Sequence, residues 1–329
     1  MRRFLTALFA LLVLAAPATA AKPKPVASWA QPQIVKVAKA GLLGGDAKAF
    51  RPDDALTGAE LEELVATMLP EAAPEAPAAG TVTLAGLDAR LVRALGLKDT
   101  AYRFFRGARA AGVNPPKRFG TEAVARLLGL RFNHPAGTDE LELQPNDPVT
   151  RAETAFSAAR VLELSEWEVG RVEEQARAFA LPELTGWQTR VLSSAAQLIG
   201  RPYVWGGTET GFDCSGFVWR VVKLTRYAGG ESLGPVLRGR TTYQMSGEVP
   251  KAKRIAFADL QPADIVFFGA RGAKSKPAQV DHMGLFLGGS WMIHSSRYGV
   301  ALEQLDSWRQ RGFAWGRRPL AEAGLDAAR

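Results

Sequence analysis

The run from Gln279 to His294 constrains the fold more than any other stretch of the 329 residues. Gln279-Val280-Asp281-His282 leads into Met283-Gly284-Leu285-Phe286-Leu287, and Gly288-Gly289-Ser290 separates this from Trp291-Met292-Ile293-His294. Two apolar runs divided by a glycine-rich break read as a β-hairpin. Side chains alternate along a strand, so His282, Gly284 and Phe286 share one face. If residues 288–290 form a three-residue loop, Leu287 pairs with Trp291 and Gly284 with His294. His294 then lies on the face of His282, diagonally offset by about 7–8 Å between Cα positions. A two-residue loop would put the histidines on opposite faces. Glycine is unfavourable inside a strand, so Gly284 favours a close approach of the two rings. Upstream, Ala263-Asp264-Ile265-Val266-Phe267-Phe268 reads as a buried strand.

Two of only three histidines thus fall in one hairpin, and the single cysteine, Cys214, precedes it. Cys214 follows Arg201-Pro202-Tyr203-Val204-Trp205-Gly206-Gly207 and sits within Phe212-Asp213-Cys214-Ser215-Gly216-Phe217. Asp213 is placed to cap a helix whose apolar face is Phe217, Val218, Val221, Val222 and Leu224. A thiol at a helix start meets unpaired N–H groups and the positive dipole end, which lower its pKa. The same N–H groups suit the oxyanion of a tetrahedral intermediate. The plainer reading is that a lone cysteine is a small buried hydrophobe. The histidine pair favours the first: Cys214 as nucleophile, His282 as base, His294 as the group that orients His282. His134, in Asn133-His134-Pro135, has no partner in view and reads as a surface loop residue. Cys214, His282 and His294 lack the spacing of a metal site, and no cofactor motif is present.

One cysteine allows no intramolecular disulfide. The 47% apolar and 22% charged shares are those of a globular chain, long enough for two domains. The net charge of +8 suits an anionic polymer or membrane surface. No arginine-rich or aromatic-interleaved run supports nucleic acid as partner. Arg2 and Arg3, an apolar run from Phe4 to Ala16, and Ala18-Thr19-Ala20 form the layout of a secretory signal peptide over residues 1–20. The run is shorter than the roughly 20 residues a bilayer span needs, and no later segment reads as a transmembrane helix. The expected destination is secreted, at the cell wall or in the periplasm.

Residues 21–32, rich in Lys, Pro and Ala, read as a linker. Helical patterning then runs to residue 182, where Leu181-Pro182 breaks it. Thr57 with Glu60 and Thr150 with Glu153 have capping-box spacing. Each pair follows a similar loop, Arg51-Pro52-Asp53-Asp54 or Gln144-Pro145-Asn146-Asp147. This pattern resembles S-layer-homology repeats, and Thr150-Arg151-Ala152-Glu153 matches that family's signature, with Gly58 replacing the arginine in the first copy. Gly120 to Glu122 reads as a degenerate copy between them. The resemblance implies that residues 33–182 form an all-α domain that binds an anionic wall polymer; a mere spacer or domain cover is the alternative.

From Thr185 to Leu320 the chain resembles the NlpC/P60 cysteine peptidases. Five motifs follow in that family's order: Tyr203 to Gly207, Phe212 to Gly216, Leu260 to Phe268, Asp281 to Gly288, and Met292 to His294. Ala263 stands where the family usually has glycine, a departure expected to be harmless. The resemblance implies an α+β, papain-like domain over residues 183–329, its nucleophile helix packed on an antiparallel sheet. It implies hydrolysis of amide bonds in peptidoglycan stem peptides, often between D-glutamate and a diamino acid. By the same carry-over, Tyr203 aids the oxyanion or positions substrate, and Asp213 recognises a stem-peptide amine. Trp205 and Phe212 read as core. Two other readings keep the same residues: a thiol amidase or acyltransferase on another amide or ester, and a non-catalytic wall-binding protein.

Overall fold

The computed structural model describes residues 27–227 and 232–325; the expected leader lies outside them. The N-terminal half is helical: α1 Gln31–Lys39, α2 Gly58–Met68, α3 Leu84–Ala94, α4 Lys98–Ala110, α5 Phe119–Leu127, α6 Arg151–Val161 and α7 Glu166–Ala178. The expected linker ends earlier than residue 32. Ala30 is buried, Trp29 stacks on Phe132 at 4.8 Å between ring centroids, and α1 begins at Gln31.

Three short segments tie this half together. The N–H of Leu56 donates to the carbonyl of Val149 (2.9 Å), Val149 to Val82 (2.9 Å), and Val82 to Leu56 (2.8 Å). Each of these buried residues precedes a threonine N-cap: Thr57 on α2, Thr83 on α3 and Thr150 on α6. The repeat is therefore threefold, and its middle copy is Val82-Thr83-Leu84-Ala85-Gly86. Gly120 to Glu122 is not a copy, because α5 starts on Arg118 with no side-chain cap. Glycine at N3 hid the true copy, since the capping-box signal needs a glutamate there. Thr57 and Glu60 form a reciprocal box. Thr150 caps Glu153 N–H, but the Glu153 carboxylate faces inward, 3.5 Å from His134 Nε2. Burial pushes its pKa up to about 7 against the pull of Arg131 and His134. At position 58 a Cβ would lie 2.1 Å from the carbonyl oxygen of Ala78, so the passing 70–80 loop requires glycine in place of the repeat arginine.

His134 is not a surface residue. It is buried, edge-on to Trp29 at 4.5 Å, and lies 3.4 Å from Glu142 as well as near Glu153. The sequence reading saw a Pro-containing loop but not that Trp29 returns to cover it.

The C-terminal half begins with α8 Gly186–Gln197, capped by Thr185 and followed three residues on by Gly200 at φ +85°. Then follow α9 Cys214–Val218, a π-helical turn Trp219–Leu224, and α10 Thr242–Gly247. The strands are β1 Ile265–Gly269, β2 Val280–Gly288, β3 Trp291–Ser296, β4 Gly299–Gln304 and, after α11 Ser307–Gly312, β5 Phe313–Arg317; α12 Pro319–Glu322 closes the described chain. They form one antiparallel sheet in the order β4-β3-β2-β1-β5, and α9 packs on β2 and β3. The fold of this half is α+β with the cysteine helix on the sheet, preceded by an all-α part.

One hydrophobic core runs through both halves. At the seam, Phe104 of α4, Phe179 and Trp291 of β3 form a cluster with ring centroids 5.1–5.6 Å apart. Each such pair adds about 0.5–1.5 kcal/mol beyond the area it buries. The last carbonyls of α8 are capped from the helical half: Arg118 donates to Gln197 (2.9 Å) and Ile199, and Arg126 to Gly200 (3.0 Å). Residue 182 thus separates two kinds of secondary structure but not two cores.

Candidate active site

The hairpin solves its register problem with a bulge. Gly288 pairs with Trp291, leaving the two-residue turn Gly289-Ser290, both at positive φ. The pairing then slips by one residue, so Phe286 faces Met292 and Leu285 faces Ile293. A two-residue turn plus one bulged residue restores the register that a three-residue loop would give. His282 and His294 accordingly share a face. Their rings meet edge-on with centroids 4.9 Å apart, and His282 Nε2 lies 2.6 Å from His294 Nδ1. Gly284 is the reason they can: a Cβ there would stand 2.9 Å from His294 Cβ.

Cys214 opens α9, and Asp213 caps it by accepting from Gly216 N–H. The Asp213 carboxylate also accepts from Ser215 Oγ (2.8 Å) and Gly206 N–H (2.9 Å), and Arg240 lies 3.6 Å away. Its oxygens are occupied by the local fold, which leaves little capacity for a substrate amine. Arg240, which the sequence reading missed, also donates to Ser215 Oγ (2.8 Å) and the Gly206 carbonyl (3.0 Å), fastening the glycine turn to the helix start. Cys214 Sγ lies 3.5 Å from Thr242 Oγ1 on α10 and 4.0 Å from the Asp281 carbonyl. Thr242 was a second missed neighbour.

The resting charge state differs from the expected thiolate. Burial pushes the Cys214 thiol up, and the Asp213 charge adds to that; Thr242 and the Met283 and Ser215 backbones pull the other way without prevailing. Burial holds the His282 ring well below the usual histidine range, with His294 and Arg309 acting in the same sense. Five helical residues and an acidic cap give too little positive potential to offset desolvation. Both shifts favour the neutral forms, thiol at Cys214 and imidazole at His282, in the free protein.

Behind His294 stands a residue the sequence reading did not single out. Glu303 Oε2 on β4 lies 3.0 Å from His294 Nε2, and Arg309 of α11 grips the same carboxylate through Nε (2.8 Å) and Nη2 (2.6 and 2.7 Å). Burial alone would raise its pKa, but the bonds from His294 and Arg309 bring it down to about 2. The available signal was the β4 register, which places Met292 opposite Glu303 and His294 opposite Ala301.

A cavity of about 1330 Å³ reaches His282, His294 and Glu303; Cys214 is buried and not part of its lining. One wall comes from the helical half, including Asn133, Arg160, Glu168, Arg171 and Gln175, and the other includes Tyr203, Trp205 and Arg297. Asn133 Oδ1 accepts the Tyr203 N–H at 2.9 Å, so the helical half also holds the Tyr203 segment. Burial pushes the Tyr203 hydroxyl up to about 12, with Cys214 and Asp213 adding to the shift, so it is a proton donor across the working range. Phe212 is fully buried as expected. Trp205 is not core: it is 73% exposed on the cavity rim. Two glycines follow it and hold the chain at the surface. Ala263 is at φ +72°. An L-residue there costs about 1–2 kcal/mol, partly offset by its buried methyl, so the departure from glycine is not free of cost. Among the described residues, no group of three or more His, Cys, Asp or Glu side chains is arranged to hold a metal ion.

Comparison with known proteins agrees with this architecture. The NlpC/P60 family model matches residues 200–317, and the S-layer homology domain model matches residues 24–62. The C-terminal half belongs to the NlpC/P60 family, and an S-layer homology unit lies N-terminal to it. The chain is 29% identical over 137 residues to the gamma-D-glutamyl-L-lysine dipeptidyl-peptidase of Bacillus subtilis (strain 168), covering 41% of each protein. It is 36% identical over 126 residues to the probable peptidoglycan endopeptidase LytE of the same organism, covering 37% of this chain and 32% of LytE. With the murein DD-endopeptidase MepH of Escherichia coli (strain K12), identity is 32% over 140 residues, 41% of this chain and 46% of MepH. The chain thus spans less than half the length of each of these relatives.

Proposed function

We propose that the protein is an exported thiol peptidase that hydrolyses amide bonds in peptidoglycan stem peptides. Cys214 is the nucleophile, His282 the base, and His294 the group that orients it. The observation that carries this is the histidine pair: Gly284 and a bulged turn bring two rings together on the sheet against which the cysteine helix packs. His282 takes the thiol proton as sulfur attacks the carbonyl, then returns it to the leaving amine. Water activated by the same ring hydrolyses the thioester. Because thiol and imidazole both rest neutral, proton transfer accompanies attack instead of preceding it. Tyr203 donates to the developing oxyanion from the cleft wall. Gly216 N–H is held by the Asp213 cap, so oxyanion donors come from elsewhere.

The bond cleaved is that between D-glutamate and the diamino acid, in line with the name of the Bacillus subtilis gamma-D-glutamyl-L-lysine dipeptidyl-peptidase. The S-layer homology unit holds the enzyme at an anionic wall polymer. Its signature arginine, Arg151, is engaged inside the fold, donating to the carbonyls of Phe50 and Leu43 and paired with Glu60, so other cations meet the polymer. Among the described residues no helix is long and apolar enough to cross a membrane. Digestion of purified peptidoglycan followed by mass spectrometry tests the reading. Fragments with a new amino terminus on the diamino acid support it, and products cut only at cross-links overturn the bond assignment.

A further inference from the structure

The reading above names His282 as the base but leaves open which ring nitrogen is basic and what keeps it so. His282 Nε2 is 2.6 Å from His294 Nδ1, and His294 Nε2 is 3.0 Å from Glu303 Oε2. We propose that Glu303, clamped by Arg309, is a positioning residue that fixes the tautomers of both histidines and so makes Nδ1 of His282 the base. This inference rests on the thiol-peptidase reading for its consequence but not for its geometry.

Glu303 has no proton to give, so a hydrogen bond at this distance requires His294 to carry its proton on Nε2. The proposed state has a single ring proton on His294, and with that proton on Nε2 its Nδ1 is an acceptor. In that state the 2.6 Å contact is donated by His282 Nε2–H. His282 is also neutral, held so by burial, and its single proton is now assigned. Nδ1 of His282 is left with a free lone pair. Reversing the chain would point the His294 Nε2 lone pair at a carboxylate and place a proton on His282 Nδ1, which abolishes the base.

Arg309 makes the assignment rigid. Its Nε and Nη2 both donate to Oε1, and Nη2 also reaches Oε2, so the carboxylate plane cannot turn away from His294. The Arg309 guanidinium lies 5.5 Å from the Phe268 ring, whose centroid is 6.1 Å from that of His282, so one aromatic side chain backs both ends of the chain. When His282 accepts the thiol proton, its Nε2–H stays on His294 and the new positive charge faces Glu303 through one neutral ring. Proton and electron counts are those of an ordinary thiol acylation.

Glutamine at 303 gives a sharper prediction than simple loss. Arg309 needs an acceptor where Oε1 now lies, so the amide oxygen takes that place and the NH₂ turns toward His294 Nε2. His294 must then accept there, carry its proton on Nδ1, and donate to His282 Nε2. His282 is forced into the Nδ1–H form. Glu303→Gln should therefore be worse than Glu303→Ala, which merely releases the constraint.

Ring-nitrogen NMR is simple in a chain with three histidines. In the full-length wild type at neutral pH, both His282 and His294 should carry the proton on Nε2. In Glu303→Gln both protons should move to Nδ1, and kcat on peptidoglycan fragments should fall about 10³-fold with KM within about threefold, as for other wrong-tautomer triads. Glu303→Ala should lose about tenfold less. A wild-type His282 protonated on Nδ1 overturns the proposal whatever the variants do. So does a folded Glu303→Gln that keeps the Nε2 proton or wild-type kcat. If the wild-type tautomers hold but no stem peptide is cut, the functional reading fails and this one stands.

Discussion

Cys214, the proposed nucleophile, sits where its surroundings favour the protonated thiol. Its thiol is pushed up by burial, and its neighbour His282 is pushed down, so both are neutral near pH 7. The sign is opposite to that of a preformed thiolate–imidazolium pair. Alkylation of the free enzyme by iodoacetamide should accelerate from about pH 7 to beyond about pH 9, because only the thiolate reacts. A plateau beginning in mildly acidic solution would show that the ion pair forms in the free enzyme. The lowered pKa of His282 also places the acid limb of kcat/KM below the ordinary histidine range, and activity is lost only as pH falls through that lowered value.

At the scale of elements, the β2–β3 hairpin decides whether there is a site at all. Gly284→Ala puts a Cβ 2.9 Å from His294 Cβ and 3.0 Å from the Ile293 carbonyl oxygen, both on rigid backbone or its first side-chain atom. The strands must part or His294 must turn. A displacement near 1 Å costs about 10²-fold, so kcat/KM should fall by at least that much while far-UV circular dichroism is unchanged. Undiminished activity would remove the argument that glycine is there for the rings. Much of this element was legible beforehand. Alternation along Asp281–Leu287 gave the shared face, and Gly284 gave the close approach. The bulge at 287–288 was not legible, because Gly288-Gly289-Ser290 suits a three-residue loop as well as a two-residue turn followed by a bulge. Helix starts with a Thr-x-x-Glu signal were found, while the copy at Thr83 was missed for want of the glutamate. Cys214, His282 and His294 could be named because chemistry restricts their types. Glu303, Arg309, Thr242 and Arg240 could not, since charged and hydroxyl residues are abundant and only tertiary pairing distinguishes these.

The whole molecule is where sequence reading departs furthest from the fold. A break at Pro182 suggested two bodies, yet Phe104, Phe179 and Trp291 join them in one core, and Asn133 holds the segment of Tyr203. Exposure was misjudged for a related reason: His134 is inside because Trp29, distant in sequence, packs edge-on against it, and Trp205 is outside on the cavity rim. Removing residues up to 182 would bare Trp291 and the carbonyls that Arg118 and Arg126 cap, so a truncated C-terminal half is a poor test of targeting. Phe104→Ala instead probes the union directly. It should cost about 3–5 kcal/mol and shift a single thermal transition. Two transitions, only one of which moves, would show that the halves unfold independently.

The central claim is that Cys214 performs the chemistry on wall peptides. Its most direct test compares full-length wild type with Cys214→Ala on purified peptidoglycan, counting new amino termini against an enzyme-free blank. The account predicts steady release by the wild type and none above the blank from Cys214→Ala, with both proteins sharing the same circular dichroism spectrum. Release by Cys214→Ala at the wild-type rate would contradict it.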